Sequence, residues 1–279
     1  MADAPNPSAP PARPRGPRPL VTLTVLRTQR LSPHLIRVVL GGPGLSRYRH
    51  NEFTDRYVKL VFERPGVPFP DPYDPAVVRT LPPEQRPPVR TYTVRSFDAD
   101  AGELVIDFVF HGDEGVAGPW AEQARPGEII RALGPGGAYA PDPEADWHLL
   151  VGDEAAFPAI ASALAAIPDD AAIVAVLETE DAADRGYLDL PDRAEVRWLD
   201  RGSGGPTLPE AVRALTFPAG RVHAFVHGEL SAIRELRPHL LDERGLDPKS
   251  LSLSGYWRRG KDEDGFQAEK REGAEQVTT

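Results

Sequence analysis

Residues 147–160 read WHLLVGDEAAFPAI, and the pattern of apolar residues along the sequence changes here. A short apolar run ends at Gly152, a polar turn follows, and a helical pattern begins with Pro158 in its first turn. From here on, short apolar runs alternate with helical patterns, which is typical of a parallel sheet covered by helices on both faces. We therefore predict an open parallel α/β domain over residues 146–260. Its strands are predicted at 147–151, 172–178, 194–199, 221–227 and 250–255, and its helices at 156–167, 181–185, 207–215 and 229–244.

Before this stretch, Val, Leu, Ile and aromatic residues gather in six short runs with no long helical pattern between them. Turns rich in glycine and proline, such as residues 41–44 and 126–127, separate the runs. Such a series predicts an antiparallel six-stranded β-barrel over residues 20–143, with one helix near 116–124. The predicted fold is thus β + α/β. The barrel strands are predicted at 20–27, 35–40, 56–62, 90–97, 103–110 and 128–133.

Proline accounts for 31 of the 279 residues, and it is concentrated in two segments. Residues 1–19 hold seven prolines and almost no large apolar side chains, which predicts a disordered Pro/Arg-rich tail. Residues 65–88 hold nine and form an insert between the third and fourth strands, either a floppy insertion or a cover over a neighbouring site. Residues 261–279 carry six acidic and three basic side chains, which predicts a disordered acidic tail.

The overall composition excludes several classes of protein and site. The chain has no cysteine, which excludes a disulfide scaffold, a thiol nucleophile and a cysteine-ligated zinc or iron–sulfur centre. Its net charge of −10 argues against nucleic acid as a partner. No apolar run approaches the roughly 18 residues of a membrane span, and the N-terminus lacks the pattern of a signal peptide. We expect a cytoplasmic monomer with no metal site and no catalytic acid, base or nucleophile.

The predicted strand at 90–97 begins RTYTVR and combines a guanidinium, an aromatic ring and hydroxyls. Side chains alternate along a strand, so Arg90 and Tyr92 share one face while Thr91 and Thr93 share the other. A flavin dinucleotide needs a cation for its pyrophosphate, a ring against its isoalloxazine and a donor near its polar edge. The same residues are compatible with an amphipathic strand whose arginines are exposed, and both interpretations stay open.

The segment 111–121, HGDEGVAGPWA, follows a predicted strand directly and opens a predicted helix. Small residues at a helix start allow backbone N–H groups to approach an anion such as a phosphate. The alternative is a glycine-rich turn in which His111 is a hydrogen-bonded structural histidine.

Two further turns lie at the ends of predicted α/β strands, where open α/β sheets bind their ligands. Residues 152–154 (GDE) open the first strand-to-helix turn, without the G-x-G-x-x-G fingerprint of dinucleotide sites. Asp153 and Glu154 are suited to bond ribose hydroxyls or a carboxamide, or they belong to a capped turn. Residues 254–260 (SGYWRRG) form either a cationic aromatic lip or a hydrophobic plug with solvated arginines.

In this order and spacing, these segments resemble the siderophore-interacting protein family of flavin-dependent ferric-siderophore reductases. The resemblance covers about residues 20–260. It implies an FAD-binding barrel, a following NAD(P)H-binding domain, FAD as cofactor and NADH or NADPH as reductant. The matching motifs are RYVKLVF (56–62), RTYTVRSFD (90–98), DFVFHGDEGVAGPWA (107–121), GDEAAFPAI (152–160), ELRPHLLDERGL (235–246) and SGYWRRG (254–260).

The resemblance also implies roles for individual residues of this chain. Those implied to bind or line FAD are Arg90, Tyr92, Thr93, Asp107, Val109 and His111, with Gly115, Val116, Ala117 and Trp120 on the pyrophosphate side. Those implied to face the nicotinamide cleft are Gly152, Asp153 and Glu154, and Tyr256 and Trp257 belong to the same cofactor-binding set. Those implied to meet an anionic ferric siderophore are Lys59, Arg258 and Arg259.

The chain departs from the family pattern at two motifs. The family's G-P-R-G reads GPGG at residues 134–137, so an arginine of the substrate platform is missing. The family's W-x-A-G-E reads FVHGE at residues 225–229. Glu178 and Glu180 lie at the end of the second predicted α/β strand. Acidic residues there favour binding of a ribose diol, and hence NADH as the reductant. The nearby Arg185 is also compatible with NADPH.

The resulting hypothesis is an NAD(P)H-dependent, FAD-containing ferric-siderophore reductase that releases iron as Fe²⁺. A hydride donor delivers two electrons and ferric iron accepts one, and a flavin mediates between the two. Two alternatives remain. One is a flavin reductase that passes electrons to a protein partner, and the other is a non-enzymatic siderophore-binding module for iron trafficking.

Overall fold

The computed structural model describes residues 20–261 together with residues 265 and 266. The predicted tail 1–19 and most of the predicted tail 261–279 therefore lie outside the described residues. Within the described part, a closed antiparallel barrel of six strands is followed by a parallel sheet of five strands with helices. The predicted fold class is confirmed.

The barrel has the strand order β1-β2-β5-β4-β3-β6, with every neighbouring pair antiparallel. Burial alternates along β1, where Val21, Leu23 and Val25 face the core, as the two-residue period of a strand requires. β1 runs on past its predicted end because its second half pairs with β2 as a hairpin. The strands are β1 (Leu20–Ser32), β2 (Leu35–Gly41), β3 (Tyr57–Val61), β4 (Val89–Asp98), β5 (Glu103–Val109) and β6 (Ile129–Gly136).

The proline-rich insert 65–88 has structure of its own. It contains the short helix α1 (Pro75–Val78), capped by Asp74, whose side chain accepts from the Ala76 N–H at 2.8 Å. The Arg131 guanidinium of β6 lies 4.1 Å from the centre of the Phe69 ring, which attaches the insert to the barrel wall. The helix α2 (Ala117–Gln123) then connects β5 to β6 and buries Ala117 and Ala121 against the barrel core.

The second half of the chain forms a parallel sheet with the order β11-β10-β7-β8-β9. Every residue of the central strand β7 is buried, because apolar clusters cover both faces of the sheet. The strands are β7 (Trp147–Gly152), β8 (Ala172–Thr179), β9 (Ala194–Asp200), β10 (Val222–Glu229) and β11 (Leu251–Trp257), and the helices are α3 (Phe157–Leu164), α4 (Leu208–Arg213) and α5 (Leu230–Pro238).

Two helices differ from their sequence predictions. The short helix predicted at 181–185 is a 3₁₀ helix, Ala182–Tyr187, whose first turn is capped by Asp181. The helix predicted at 229–244 ends as an α-helix at Pro238 and continues as a π-helical segment, His239–Glu243. Because proline has no N–H for the helical ladder, the regular turn cannot continue through this position unchanged.

Buried carboxylates join the barrel to the sheet. Asp107 on β5 accepts two hydrogen bonds from Arg37, both 2.8 Å long, and a third from the Tyr187 hydroxyl at 2.6 Å. Asp184 in the α/β half accepts from the Ser32 hydroxyl and lies 2.8 Å from the His34 Nδ1, both at the β1–β2 hairpin. These bonds hold the two halves on either side of a cleft.

We predict that Asp184→Ala lowers the free energy of unfolding by roughly 2–3 kcal/mol, because it leaves donors of the hairpin unpaired at a buried position. Urea denaturation followed by circular dichroism measures the change. Asp189→Ala is the control, since Asp189 is exposed in the same segment. Equal midpoints for the two variants would show that the Asp184 hydrogen bonds do not stabilise the protein.

Candidate functional site

A cavity of about 460 Å³ lies between the barrel and the carboxyl ends of the parallel strands. Its volume is within the range of small-molecule sites. The structure brings ten of the predicted site residues to its walls: Lys59, Arg90, Tyr92, Thr93, Asp107, Val109, His111, Glu154, Tyr256 and Trp257. The other eight do not line it: Gly115, Val116, Ala117, Trp120, Gly152, Asp153, Arg258 and Arg259.

Strand β4 contributes four consecutive residues, Arg90 to Thr93, to the cavity wall. β4 pairs with β3 along this whole segment, whereas its pairing with β5 begins only at Val94. The barrel wall therefore opens beside residues 90–93, so side chains from both faces of the strand reach the cavity. The Tyr92 ring packs against the Phe108 ring, with the ring centres 4.3 Å apart.

The predicted pyrophosphate segment lies outside the cavity wall. The Trp120 ring is half-buried and packs against Phe62 and Phe108 of the barrel core, with ring centres 5.7 and 5.6 Å away. Ala117 is buried in the same core. His111 does line the cavity, and its Nδ1 lies 3.9 Å from the Glu180 carboxylate. A pyrophosphate role for Gly115, Val116, Ala117 and Trp120 stays a prediction.

Asp153 lies behind the cavity wall rather than in it. Its carboxylate accepts from the Trp257 indole N–H at 2.8 Å, the Glu229 N–H at 2.9 Å and the Ala155 N–H at 3.0 Å. Burial, followed by repulsion from the neighbouring Glu154, raises the pKa of Asp153 to about 7. The side chain thus ties together the ends of β7, β10 and β11 and orients Trp257, which itself lines the cavity.

Gly152 is also a packing residue. A Cβ atom there would lie 2.7 Å from the Ala156 Cβ and 2.8 Å from the His227 carbonyl oxygen. Glycine therefore allows β7, α3 and β10 to meet closely at the head of the cleft.

Glu154 lines the cavity as half of an ion pair with Arg201, a residue that sequence reasoning missed. Arg201 donates to Glu154 and, through its Nε at 2.6 Å, to Glu178. Burial opposes its charge, but the two carboxylates raise the pKa of Arg201 overall. Its guanidinium carbon lies 5.7 Å from the centre of the Trp257 ring. The signal available in the sequence was its place directly after strand β9, at the ligand-binding edge of the sheet.

The two arginines predicted to meet the substrate directly follow Trp257 but do not line the cavity themselves. Arg258 donates to the Ser231 hydroxyl and lies 3.6 Å from the Glu229 carboxylate, at the start of α5. Arg259 is exposed. Lys59 does line the cavity, where its Nζ donates to the Thr91 hydroxyl at 3.3 Å.

Three further aromatic residues bound the cavity. Tyr256 packs with its ring centre 4.8 Å from that of His227, and burial strongly raises the pKa of its hydroxyl. Tyr57 of β3 and Phe266 also line the cavity, and neither was predicted from the sequence. Phe266 is 2% exposed, and its large apolar side chain in an acidic segment was the signal that could have found it.

Comparison with known proteins identifies the family. The family model of the siderophore-interacting FAD-binding domain matches residues 24–139, and the siderophore-interacting protein model matches residues 145–260. The chain belongs to the siderophore-interacting protein family. This confirms the resemblance found in the sequence motifs, and with it an FAD-binding domain in the barrel half.

Individual relatives and a solved structure agree with this family assignment. The chain is 32% identical over 264 residues to a ferric vibriobactin reductase of Vibrio cholerae, covering 89% of this chain and 93% of that protein. It is 32% identical over 241 residues to an NADPH-dependent ferric-chelate reductase of Escherichia coli, covering 84% and 91%. The crystal structure of a siderophore-interacting protein from Aeromonas hydrophila superposes with a TM-score of 0.76 at 31% identity, covering 93% and 99%.

The described residues fit the FAD that the family binds. The open side of β4 presents Arg90, Tyr92 and Thr93 together, which supplies a guanidinium, a ring and a hydroxyl to one elongated ligand. No group of three potential metal-ligating side chains occurs among residues 20–261, 265 and 266. In the same part of the chain, no helix is long and apolar enough to cross a membrane.

We predict that Asp153→Asn flattens the dependence of stability on pH. An acid whose pKa is higher in the folded than in the unfolded protein stabilises the fold at low pH, and this stability is lost as pH rises towards the folded pKa of about 7. The wild type should therefore lose up to about 1.4 kcal/mol per pH unit more than the variant between pH 4 and 7.

Urea denaturation at intervals across this range measures the difference. Asp169→Asn is the control, because Asp169 is fully exposed, and its profile should run parallel to that of the wild type. A parallel profile for Asp153→Asn as well would mean that Asp153 does not titrate in this range.

Proposed function

We propose that this protein is an NAD(P)H-dependent, FAD-containing ferric-siderophore reductase. The observation that carries the proposal is a cavity in which the open edge of β4 faces the carboxyl ends of the parallel strands. Two ligands can therefore meet there, one held by the barrel and one by the sheet. The relatives named as a ferric vibriobactin reductase and an NADPH-dependent ferric-chelate reductase support the same activity.

On the barrel side, residues of β4 hold the cofactor. Arg90 supplies a cation for the pyrophosphate, Tyr92 supplies a ring that Phe108 keeps in place, and Thr93 supplies a hydroxyl. Bound FAD supplies the redox chemistry, since a flavin takes up a hydride and releases electrons singly. No acid, base or nucleophile of the chain is needed for that exchange.

On the sheet side, buried Glu154 and half-buried Arg201 face the cavity as an ion pair, and Trp257 adds an aromatic wall. These groups bind and orient the nicotinamide end of NAD(P)H. Because Asp153 and Glu178 hold Trp257 and Arg201 from behind, both groups are positioned before the ligand arrives. The aromatic walls keep water away from the reacting atoms.

The iron chelate is the second substrate. One NAD(P)H and two ferric chelates give NAD(P)⁺, one proton and two ferrous chelates. Ferrous iron has the smaller charge and is held less tightly by anionic oxygen donors, so reduction releases the metal. Lys59 lines the cavity on the barrel side and is the cation we assign to the chelate.

The absorbance spectrum of the purified protein and anaerobic titration with NADH and NADPH test the proposal. We expect flavin bands that are bleached by the reductant and restored by a ferric chelate. Bleaching that a ferric chelate does not reverse, but a protein acceptor does, would instead indicate a flavin reductase. A protein that binds ferric chelates without taking up FAD would be a trafficking module.

We predict that Arg90→Ala weakens FAD binding at least roughly tenfold, because a charge-assisted contact to the pyrophosphate is lost. The dissociation constant of FAD, obtained by titrating the apoprotein and following flavin fluorescence, measures it. Arg47→Ala is the control, since Arg47 is an exposed arginine of the same domain outside the cavity. An unchanged dissociation constant for FAD in the Arg90 variant would remove the assignment of this residue.

A further inference from the structure

The side chain of Tyr57 occupies the space beside Gly136. The two residues are directly opposite each other where β3 pairs with β6. A Cβ atom on Gly136 would lie 2.2 Å from the Tyr57 Cζ and 2.5 Å from its hydroxyl oxygen. Any side chain at position 136 would therefore displace the ring, so the glycine that stands where the family has an arginine allows Tyr57 to hold this position.

The Tyr57 ring is at the cavity rather than buried in the barrel. Tyr57 lines the cavity and is half-buried. It is two residues from Lys59 on the same strand, so both side chains lie on one face. It is also opposite Thr93 of β4 in the strand register. The ring thus lines the cavity on the strand that carries the cation assigned to the iron chelate, beside the strand assigned to FAD.

The exchange changes what this part of the wall recognises. An arginine adds a full positive charge that attracts an anionic chelate, whereas a tyrosine adds a ring face that packs against another planar group. Tyr256 and Trp257 extend the aromatic surface on the opposite side of the cavity. The Arg201 charge is already held by Glu154 and Glu178 and does not replace the missing cation.

We propose that Tyr57, together with Gly136, selects iron chelates of low net charge that carry an aromatic ring, over highly anionic chelates. The inference rests on the proposed reductase function and specifies its substrate class. Tyr57 is in this view a specificity-determining residue that contacts the organic part of the chelate.

Gallium complexes test the inference without redox chemistry, because Ga³⁺ binds the same oxygen ligands as Fe³⁺ and is not reduced. Three gallium complexes separate the effect of an aromatic ring on binding from the effect of net charge. Gallium tris-acetohydroxamate is neutral without a ring, gallium tris-benzohydroxamate is neutral with rings, and gallium tris-catecholate has rings and three negative charges. Dissociation constants are measured by calorimetry on the FAD-loaded protein at one fixed salt concentration.

We expect the wild type to bind tris-benzohydroxamate roughly tenfold more tightly than tris-acetohydroxamate, which corresponds to one stacked aromatic contact. Tyr57→Ala should abolish this preference, and Tyr57→Phe, the matched control, should keep it. The double variant Tyr57→Ala/Gly136→Arg, which has room for the arginine, should bind tris-catecholate roughly tenfold more tightly than Tyr57→Ala.

An unchanged benzohydroxamate preference in Tyr57→Ala, or no gain in tris-catecholate binding by the double variant, would overturn the inference. Flavin content and the reduction of ferric acetohydroxamate by NAD(P)H are measured on the same samples. If the wild type reduces this chelate while the preferences fail to shift, the inference is wrong and the reductase function stands. If the wild type neither reduces it nor binds any gallium complex, the proposed function itself is wrong.

Discussion

A carboxylate removed from water must find hydrogen-bond donors, and in this protein that requirement determines how the barrel and the sheet face each other. Asp107 takes donors from Arg37 in its own domain and from Tyr187 across the boundary, while Asp184 takes its donors from the β1–β2 hairpin, including His34. Separating the halves would leave both carboxylates short of donors. The width of the cleft, and hence the distance between its two walls, depends on these bonds.

The same requirement operates inside the site and gives two adjacent acids different functions. Asp153 turns away from the cavity, where three N–H groups from three strand ends or turns satisfy it. Glu154 turns towards the cavity and is satisfied by Arg201. Each acid thereby positions a group that lines the cavity, Trp257 in one case and Arg201 in the other. The GDE turn is thus a support for ligand-contacting side chains as much as a ligand-contacting segment.

Periodicity in the sequence was sufficient for the architecture, because a two-residue period and a strand–helix alternation each permit few arrangements. It was insufficient for the site. Trp120 and Arg258 lie in matching motifs, yet neither lines the cavity, because Trp120 packs against the barrel core and Arg258 at the start of α5. Arg201 reaches Glu154 across 47 residues of sequence. Such contacts depend on where distant strand ends meet. Local pattern places Arg201 at the ligand-binding edge of the sheet but does not show which side chain it meets there.

The overall charge of the chain gives the exchange at Gly136 a physical context. The net charge of −10 repels anionic ligands. Dissolved salt screens this repulsion beyond about 10 Å. Within that distance, only groups on the cavity wall can offset the repulsion. An arginine at position 136 would add to the positive charge of Lys59 there, whereas Gly136 with the Tyr57 ring beside it adds none. A chelate of low charge meets little of this repulsion and gains the contact with the ring. Charge and wall chemistry therefore favour the same class of substrate.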